Sequence, residues 1–593
     1  MKQFFKMFFA SLLAMIVAGV IVVAVFVGLI IGAVSSAINS KPAVHVASSS
    51  VLLLDMNTRF SEQPSQNSFA RLSGGSGYNA GLYDVVRALE QAKTDDKIEG
   101  LVLKLGPTAN GWATLQQLRA AVKDFKTSGK FVYAYGENIT QGAYYVATVA
   151  DSIFLNPVGD MELKGFATVL MFFKGTLDKL ELEPEIYYAG KFKSATEPFR
   201  ATQMSEENRR QIREFQEDFW TEFAGAVAER LKTDTAAVTQ LAVNGTIEFP
   251  KDALANKLVD GLWYSDQVND LLKAKTGTDE DKDVKLVSVN KYAENLKDGA
   301  RKDERIAVLY AEGSIVDGEG DDMGQIASAD MVKTIREIRK NDKIKAVVLR
   351  VNSPGGSALA SEVILRELQL LKKDKKLIVS MGDVAASGGY YISCYADSIF
   401  VMPNTVTGSI GVFAMLFNTE KLMKNKLGIT FDHVKNAPYA DFPNAYRPLT
   451  AEEVGKMQRS IDNIYNIFKG HVAAGRKLDI NYVDSVAQGR VWSGSDAVAN
   501  KLADGFGDLN RAIASAASMA KLKDYSIVTY PEVVDEFDVL LKRMGGDEGM
   551  SAAVKANIEK EMGEEYPFIK QLKMLKSMSG QKMMLLPFSI TMQ

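Results

Sequence analysis

The two halves of an internally repeated sequence each carry one residue that could take part in hydrolysis. One half has a serine, a potential nucleophile, and the other has a lysine, a potential base. Residues 131–165 align with residues 377–411 at a constant offset of 246, and Ser387 of the second copy falls on Gln141 of the first. Further along, at an offset of 245, Lys193 of the first copy falls on Pro438 of the second. Serine becomes a nucleophile when a neighbouring base accepts its proton. Because each copy keeps a reactive residue that the other has lost, the pattern indicates one hydrolytic site built between two domains.

Lysine is the better candidate for the base that this serine needs. None of the three histidines is repeated or lies beside a glycine loop: His45, His433 and His471. Lysine has a reference pKa of about 10.4 and must be desolvated to accept a proton near neutral pH. Lys193 is our choice and Lys191 is the alternative, because the sequence alone does not separate the two. Ser409, in TGSIG at 407–411, could hydrogen-bond the neutral amine and orient it.

A paired glycine lies where a transition state would need hydrogen-bond donors. The segment NSPGGS at 352–357 follows an apolar run at 346–351, and the first copy has no paired glycine at the equivalent 106–111. Glycines let backbone N–H groups approach a ligand closely, and such groups can form an oxyanion hole. The N–H of Gly388 begins the helix expected after Ser387 and could join this hole. Each feature alone could be a helix N-cap or a turn. The reciprocal losses favour catalysis.

Short apolar strands alternate with amphipathic helices in both copies, which is typical of parallel βαβ units in an α/β fold. In the second copy, the runs at 305–310, 346–351 and 376–381 predict strands, and those at 330–339, 361–372 and 388–395 predict helices. Long helices are predicted at 205–231 and 450–474. We therefore expect repeat domains at 41–300 and 301–535. A tail at 536–593 should add a helix at 555–578 and a strand at 583–592.

Residues 1–40 predict a membrane anchor. Lys2 and Lys6 precede an uncharged run at 7–40 that is strongly apolar through residue 34. About 20 apolar residues span a bilayer, whereas the apolar core of a cleavable signal peptide, the alternative, has only about 7–15. The two lysines place the N-terminus in the cytoplasm. The remaining chain then lies outside the cytoplasm, which in a bacterium is the periplasm or the cell exterior.

The composition argues against several other classes of protein. The net charge is −3 and no basic stripe is present, so we expect no nucleic-acid partner. Cys394 is the single cysteine, which excludes an intrachain disulfide. No histidine and cysteine cluster has the spacing of zinc ligands, and no phosphate-binding loop is present. We therefore expect neither a metal nor a cofactor.

Five segments together resemble the signal peptide peptidase A family, also called protease IV, in its long duplicated form. They are NSPGGS at 352–357, MGDVAASGGYYIS at 381–393, TGSIGV at 407–412, GKFKSATEPF at 190–199 and GRVWSG at 489–494. The resemblance implies a membrane-anchored serine peptidase, assembled as a homotetramer, with two tandem domains similar to the Clp peptidase and the crotonases. It also implies Ser387 as nucleophile, Lys193 as general base, and Gly355 and Gly388 as donors of the oxyanion hole.

The expected function is an endopeptidase of the bacterial inner membrane that degrades cleaved signal peptides and other unfolded peptides on the extracytoplasmic side. The apolar run IGVFAMLF at 410–417 follows Ser409 and predicts a pocket for small or apolar side chains. Two alternatives remain. A crotonase-like acyl-thioester enzyme would share the paired-glycine hole but would need neither Ser387 nor Lys193. An inactive envelope scaffold would need no reactive residue.

Overall fold

The computed structural model describes residues 46–66, 77–296, 301–320, 324–533 and 581–586, together with isolated helical positions between 6 and 25. The expected membrane segment falls largely outside the described residues, and the expected tail helix at 555–578 falls entirely outside them. Among the residues that are described, no helix combines the length and the apolar character needed to cross a membrane.

The described elements are strands of both repeats and the tail, and the helices between them. The strands are β1 Ser50–Asp55, β2 Ser65–Gln66, β3 Tyr78–Asn79, β4 Ile98–Leu105, β5 Phe131–Ile139, β6 Ser152–Met161, β7 Glu183–Ala189, β8 Gly261–Leu262, β9 Leu286–Ser288, β10 Arg305–Glu312, β11 Ser314–Val316, β12 Gln325–Ala327, β13 Ile344–Ser353, β14 Gly355–Ser357, β15 Lys376–Ala386, β16 Ser398–Val401, β17 Val406–Gly408, β18 Val412–Asn418, β19 Val491–Ser493, β20 Gly505–Phe506, β21 Ser526–Tyr530 and β22 Lys582–Leu585. The α-helices span Leu82–Ala92, Trp112–Lys126, Gln141–Ala147, Lys174–Leu180, Glu197–Arg200, Glu206–Leu231, Thr235–Val243, Pro250–Ala255, Ser265–Thr276, Val289–Ala293, Ser328–Lys340, Ala358–Asp374, Gly388–Ser393, Ala451–Arg476, Ile480–Val486, Gly494–Ala499 and Leu509–Ala520. Short 3₁₀ and π turns lie at Ser194–Thr196 and Leu422–Lys426.

Each repeat builds a sheet in which six parallel strands follow the same order, and the second repeat adds β19 antiparallel to β17. The order is β8-β6-β5-β4-β1-β9 in the first repeat and β20-β16-β15-β13-β10-β21 in the second, where β17 and β19 continue beside β15. Apolar strands that are separated by helices favour this arrangement, because both faces of the sheet are covered. Equivalent tyrosines make the same hydrogen bond: the hydroxyls of Tyr144 and Tyr390 donate to the carbonyl oxygens of Leu258 and Leu502, at 2.8 and 2.9 Å. The predicted α/β duplication is confirmed.

A third, mixed sheet combines strands from both repeats with the tail, in the order β12-β11-β14-β22-β18-β7. β7 belongs to the first repeat, yet it pairs antiparallel with β18 of the second repeat along its whole length. β22 lies between β14 and β18 and is antiparallel to both. The sequence did not predict this sheet, which fastens the segment after β7 to the second repeat.

Buried polar contacts also join the two repeats. The guanidinium of Arg350, in the second repeat, pairs with the carboxylate of Glu62, in the first, at 2.7 and 3.1 Å. The carboxylate of Asp383 accepts both the N–H and the hydroxyl of Thr114, each at 2.8 Å. Removing one partner of a buried ion pair is strongly destabilising, because the remaining charge is left uncompensated. These contacts hold the repeats in one relative position.

Candidate active site

Ser387 lies at the junction between β15 and the short helix Gly388–Ser393, where the sequence predicted a strand-to-helix turn. Its backbone has a φ of 55° and a ψ of −112°, a region that residues with a Cβ seldom adopt. The backbone N–H donates to the carbonyl oxygen of Gly408, at 2.8 Å, in the neighbouring strand β17. Backbone strain of this kind is often found where a reactive group must face a fixed direction.

Lys193 reaches Ser387 from the other repeat. Its Nζ lies 2.8 Å from Oγ of Ser387, 3.0 Å from Oγ of Ser409 and 3.2 Å from the carbonyl oxygen of Ser409. The lysine follows β7, and the pairing of β7 with β18 carries it across the domain boundary. The structure thus brings together three residues that were singled out from the sequence: Ser387, Lys193 and Ser409.

Glycines form the slot that holds the lysine side chain. A Cβ on Gly489 would lie 2.7 Å from Cβ of Lys193, and one on Gly411 would lie 3.2 Å from its Cδ. The N–H of Gly489 donates to the carbonyl oxygen of Ile410, at 2.8 Å, which fixes the two walls against each other. Gly489 of GRVWSG and Gly411 of TGSIGV therefore leave room for the alkyl chain of Lys193. The sequence did not predict this role.

Burial lowers the pKa of Lys193 well below its usual value. The side chain is only 1% exposed, and removal from water disfavours the charged ammonium. A neutral amine has a lone pair and can accept the proton of Ser387, whereas an ammonium cannot. Lys191 is exposed, with its Nζ 5.6 Å from the centre of the Phe192 ring. The geometry therefore favours Lys193 over Lys191.

The two histidines that the structure describes, which could replace the lysine as the base, have other surroundings. His471 hydrogen-bonds Glu362 and Tyr395, and His433 is exposed. Within the described ranges, no group of three or more histidine, cysteine, aspartate or glutamate side chains could hold a metal ion. Lys193 is the titratable side chain in contact with Oγ of Ser387.

The paired-glycine loop lies directly beside Ser387. Gly355 has a φ of 96°, and a Cβ there would lie 2.6 Å from the nitrogen of Gly388, so the close approach requires glycine. The N–H of Gly355 donates to Oγ of Ser353, at 3.1 Å. The backbone of Gly355 therefore lies against the nitrogen of Gly388, while the N–H of Gly355 itself is directed at the side chain of Ser353. Ser353 was not singled out from the sequence, although it lies within the NSPGGS motif.

The tail strand β22 occupies the groove next to this loop. Leu585 lies opposite Gly355 in β14, and Met583 lies opposite Phe413 in β18. The side chains of Met583 and Leu585 pack into one apolar cluster with Phe413 and Met415. An extended segment with alternating apolar side chains therefore fits this groove, and part of the run at 410–417 lines it; its role as a substrate pocket stays a prediction.

Gln141 fills the equivalent position of the first repeat. Its side-chain oxygen accepts the N–H groups of Lys164 and Gly165, at 2.9 and 3.1 Å, and its Nε2 donates to the carbonyl oxygen of Gly165, at 3.0 Å. Both ends of the buried amide are thus satisfied. In the first repeat, the hydrogen-bonded side chain of Gln141 fills this position, so no hydroxyl is present there.

The fold and the site define an α/β protein with two repeats of the same topology and a serine–lysine contact between them. The sequence profile of Peptidase family S49 matches residues 124–279 and again residues 369–523, and that of Clp protease matches residues 297–407. The chain belongs to Peptidase family S49 and is a serine peptidase. The family resemblance read from the five segments is confirmed.

Relatives of known name match most of the chain. Protease 4 of Salmonella typhi is 36% identical over 84% of this chain and 82% of its own length. Protease 4 of Haemophilus influenzae is 37% identical over 75% of this chain and 74% of its own length. The chloroplastic serine protease SPPA of Arabidopsis thaliana is 32% identical over 83% of this chain and 72% of its own length.

Proposed function

We propose that the chain is an endopeptidase in which Ser387 is the nucleophile and Lys193 the general base. The neutral amine of Lys193 accepts the hydroxyl proton as Oγ of Ser387 bonds to the peptide carbonyl carbon. The N–H of Gly388 and that of Gly355, released from Ser353, stabilise the oxyanion. The protonated lysine then gives its proton to the leaving amine as the C–N bond breaks. A water molecule, deprotonated by the same lysine, then bonds to the acyl carbon, and the lysine returns this proton to Oγ of Ser387 as the ester C–O bond breaks.

One observation carries this proposal: a buried amine lies 2.8 Å from a serine hydroxyl held in a strained turn. Ser409 supports it, because its hydroxyl and carbonyl oxygen both lie within hydrogen-bond distance of Nζ. These contacts direct the amine toward Ser387. We assign Ser409 the role of positioning Lys193.

The substrate would bind as a strand between β14 and β18, in the place that β22 occupies in this structure, so β22 must leave before a peptide binds. The position of β22 supports this mode, since it pairs with both strands and places alternate side chains in an apolar cluster. Main-chain pairing of this kind selects extended peptides, and apolar pockets select side chains. Unfolded peptides with small or apolar residues match both requirements, whereas folded proteins cannot supply a free strand.

Cleaved signal peptides are the proposed substrates. Their apolar cores suit the groove, and the expected anchor at 1–40 would hold the enzyme at the membrane where such peptides accumulate. We propose a single-pass protein of a bacterial inner membrane with its catalytic part on the extracytoplasmic side. A relative from Enterococcus faecium, described as a putative signal peptide peptidase SppA, is 34% identical over 40% of this chain and 70% of its own length.

Covalent labelling tests the proposal against its alternatives. A fluorophosphonate probe is expected to form one adduct, on Ser387, and a synthetic signal peptide is expected to be cleaved internally. Ser387→Ala should abolish both, while Ser398→Ala, at a half-buried position on β16, should keep both. A crotonase-like enzyme or an inactive scaffold would show neither labelling nor cleavage in the unaltered chain.

We also propose that the chain works as a homo-oligomer, a tetramer as the family resemblance implies. A chain with two packed repeats forms an open arc, and closed symmetry is the usual way in which such an arc covers its ends. Light scattering of the full-length chain in detergent measures the number of copies. A single-copy mass would contradict the assembly and would leave the assignment of Ser387 and Lys193 untouched.

A further inference from the structure

The helix that follows Ser387 is anchored through the side chain of Tyr391. This tyrosine lies in the helix Gly388–Ser393, and its backbone N–H donates to the carbonyl oxygen of Ser387, at 2.8 Å. The residue is only 2% exposed, and its ring packs against that of Phe468 with the ring centres 4.6 Å apart. A strained backbone such as that of Ser387 persists only where surrounding contacts fix it, and Tyr391 supplies one of these contacts.

The hydroxyl of Tyr391 connects this helix to the paired-glycine loop. It donates to the carboxylate of Glu362, which lies in the helix Ala358–Asp374. That helix begins directly after the NSPGGS segment, whose Gly355 is a proposed donor of the oxyanion hole. The hydrogen bond therefore joins the element that follows the nucleophile to the element that follows the oxyanion loop.

His471 contacts the same carboxylate from a third element, the helix Ala451–Arg476. Nε2 of His471 lies 3.0 Å from Oε2 of Glu362, and Nδ1 lies 3.4 Å from the hydroxyl oxygen of Tyr395. The hydrogen bond from His471 lowers the pKa of Glu362, which favours the ionised form. A carboxylate can only accept hydrogen bonds, so Nε2 of His471 and the hydroxyl of Tyr391 are both assigned as donors.

The first repeat keeps the tyrosine but has neither the acid nor the histidine. At the offset of 246, Tyr391 falls on Tyr145 and Glu362 falls on Gln116. At the offset of 245, the histidine falls on Ala226. The first repeat also lacks the serine. Packing alone explains a tyrosine that both repeats share, whereas the acid and the histidine occur only in the repeat that carries the nucleophile.

The acid and the histidine are not alternatives to the proposed base. Lys193 is the titratable side chain in contact with Oγ of Ser387. Glu362 and His471 instead contact side chains of the neighbouring helices. Any contribution they make to the reaction must therefore act through the position of those helices.

We propose that Glu362 and His471 are positioning residues, which hold Tyr391 so that Oγ of Ser387 keeps a fixed place relative to the oxyanion loop. Rates depend steeply on such placement, since a displacement of about 1 Å can cost about 10²-fold. The loss should appear in kcat rather than KM, because the full oxyanion contact forms only in the transition state. The inference rests on the proposed role of Ser387 as nucleophile.

Tyr391→Phe tests the contact, because it removes the hydroxyl and keeps the packed ring. Hydrolysis of a fluorogenic apolar peptide is measured and divided by the number of sites that a fluorophosphonate labels at completion. We expect kcat per labelled site to fall by about 10- to 100-fold with KM nearly unchanged. A merely structural role would lower the number of labelled sites and leave kcat per site as it was, and that result would overturn the inference.

Two substitutions at His471 separate hydrogen bonding from packing. His471→Gln keeps an N–H group that can reach Glu362 and should keep most of kcat, whereas His471→Ala should lose as much as Tyr391→Phe. Because the residues belong to one network, the double variant of His471→Ala with Tyr391→Phe should be no slower than either single variant. Equal losses in His471→Gln and His471→Ala, or fully additive losses in the double variant, would contradict the positioning role.

Tyr145→Phe, at the equivalent position of the first repeat, is the matched control and should leave kcat per labelled site unchanged. Ser387→Ala is measured in parallel, so that the two proposals are tested separately. If Ser387→Ala keeps its activity, the proposed reaction fails and the positioning role fails with it. If Ser387→Ala loses activity while Tyr391→Phe keeps the full kcat, the reaction stands and the positioning role alone is overturned.

Discussion

The exclusion of water favours the neutral form of Lys193, since burial lowers the pKa of its amine. The amine of Lys193 hydrogen-bonds Ser387 and Ser409, and Gly411 and Gly489 line its alkyl chain. An amine in this environment can accept a proton at a pH where an exposed lysine stays charged. The reactivity of the site therefore depends on packing around the lysine as much as on the lysine itself.

Removing either member of the pair should stop hydrolysis. Lys193→Ala is expected to lower the rate by about 10²–10⁴, the range of general acid–base catalysis. Ser387→Ala should remove the covalent route, and the double variant should be no slower, because groups that act as a unit are not additive. Hydrolysis of a fluorogenic apolar peptide measures the effect, with circular dichroism as the fold control. Lys191→Ala is the matched control; if it loses activity while Lys193→Ala keeps it, the base is Lys191.

The rate should also report the protonation of the lysine. Below its lowered pKa, Lys193 carries a proton and cannot accept another, so activity is lost as pH falls. As pH rises through that pKa, the neutral fraction grows and the rate should climb to a plateau. A profile of kcat/KM against pH for the free enzyme measures this. A rate that peaks in acid would instead indicate a carboxylate base.

At the scale of the elements, the sequence located strands but not their partners. The strand predicted at 376–381 continues to Ala386, and the turn at Ser387 follows as expected. The sequence also predicted a strand in the tail, but it did not predict that this strand pairs with β14. The repeat predicted the serine–lysine pair because each residue was lost from one copy. It could not predict Ser353 or the glycine slot, since these depend on contacts between segments far apart in the chain.

Removing β22 from the groove between β14 and β18 should make Ser387 more accessible. Removing residues 581–593 takes β22 away from β14 and β18, so Ser387 is expected to react faster with a fluorophosphonate. Leu585→Asp, which puts a charge into the apolar cluster, should act in the same direction while keeping the chain length. Rates of adduct formation, followed by intact mass, measure both. Unchanged rates in two folded variants would mean that β22 does not limit access.

At the scale of the whole molecule, two repeats supply one site, so their relative position matters for the reaction. The buried pair of Arg350 and Glu62 spans the boundary between them. The pairing of β7 with β18 fastens the segment that carries Lys193 to the second repeat. A displacement of the first-repeat core would therefore act on the contact between Nζ of Lys193 and Oγ of Ser387 through the chain that leads from β6 to β7.

Breaking this ion pair should weaken both stability and activity. Glu62→Gln leaves the charge of Arg350 buried and unpaired, which is expected to cost about 3–5 kcal/mol. Asp124→Asn breaks the exposed pair with Lys93 and should cost at most about 1 kcal/mol. Denaturant unfolding followed by tryptophan fluorescence compares the two, and peptide hydrolysis is measured in parallel. Equal midpoints for both variants would contradict the role given to Glu62.

Because Lys193 and Ser387 lie in different repeats, they are not synthesised at the same time. Ser387 and Lys193 are 194 positions apart, and β22 lies near the end of the chain. Domains fold as units, the N-terminal one first, while a protein is being synthesised. An unfinished chain in which synthesis has not yet reached Ser387 therefore holds a lysine without a serine. The site therefore cannot form before the second repeat is synthesised, and a copy truncated before Ser387 cannot attack the nascent proteins around it.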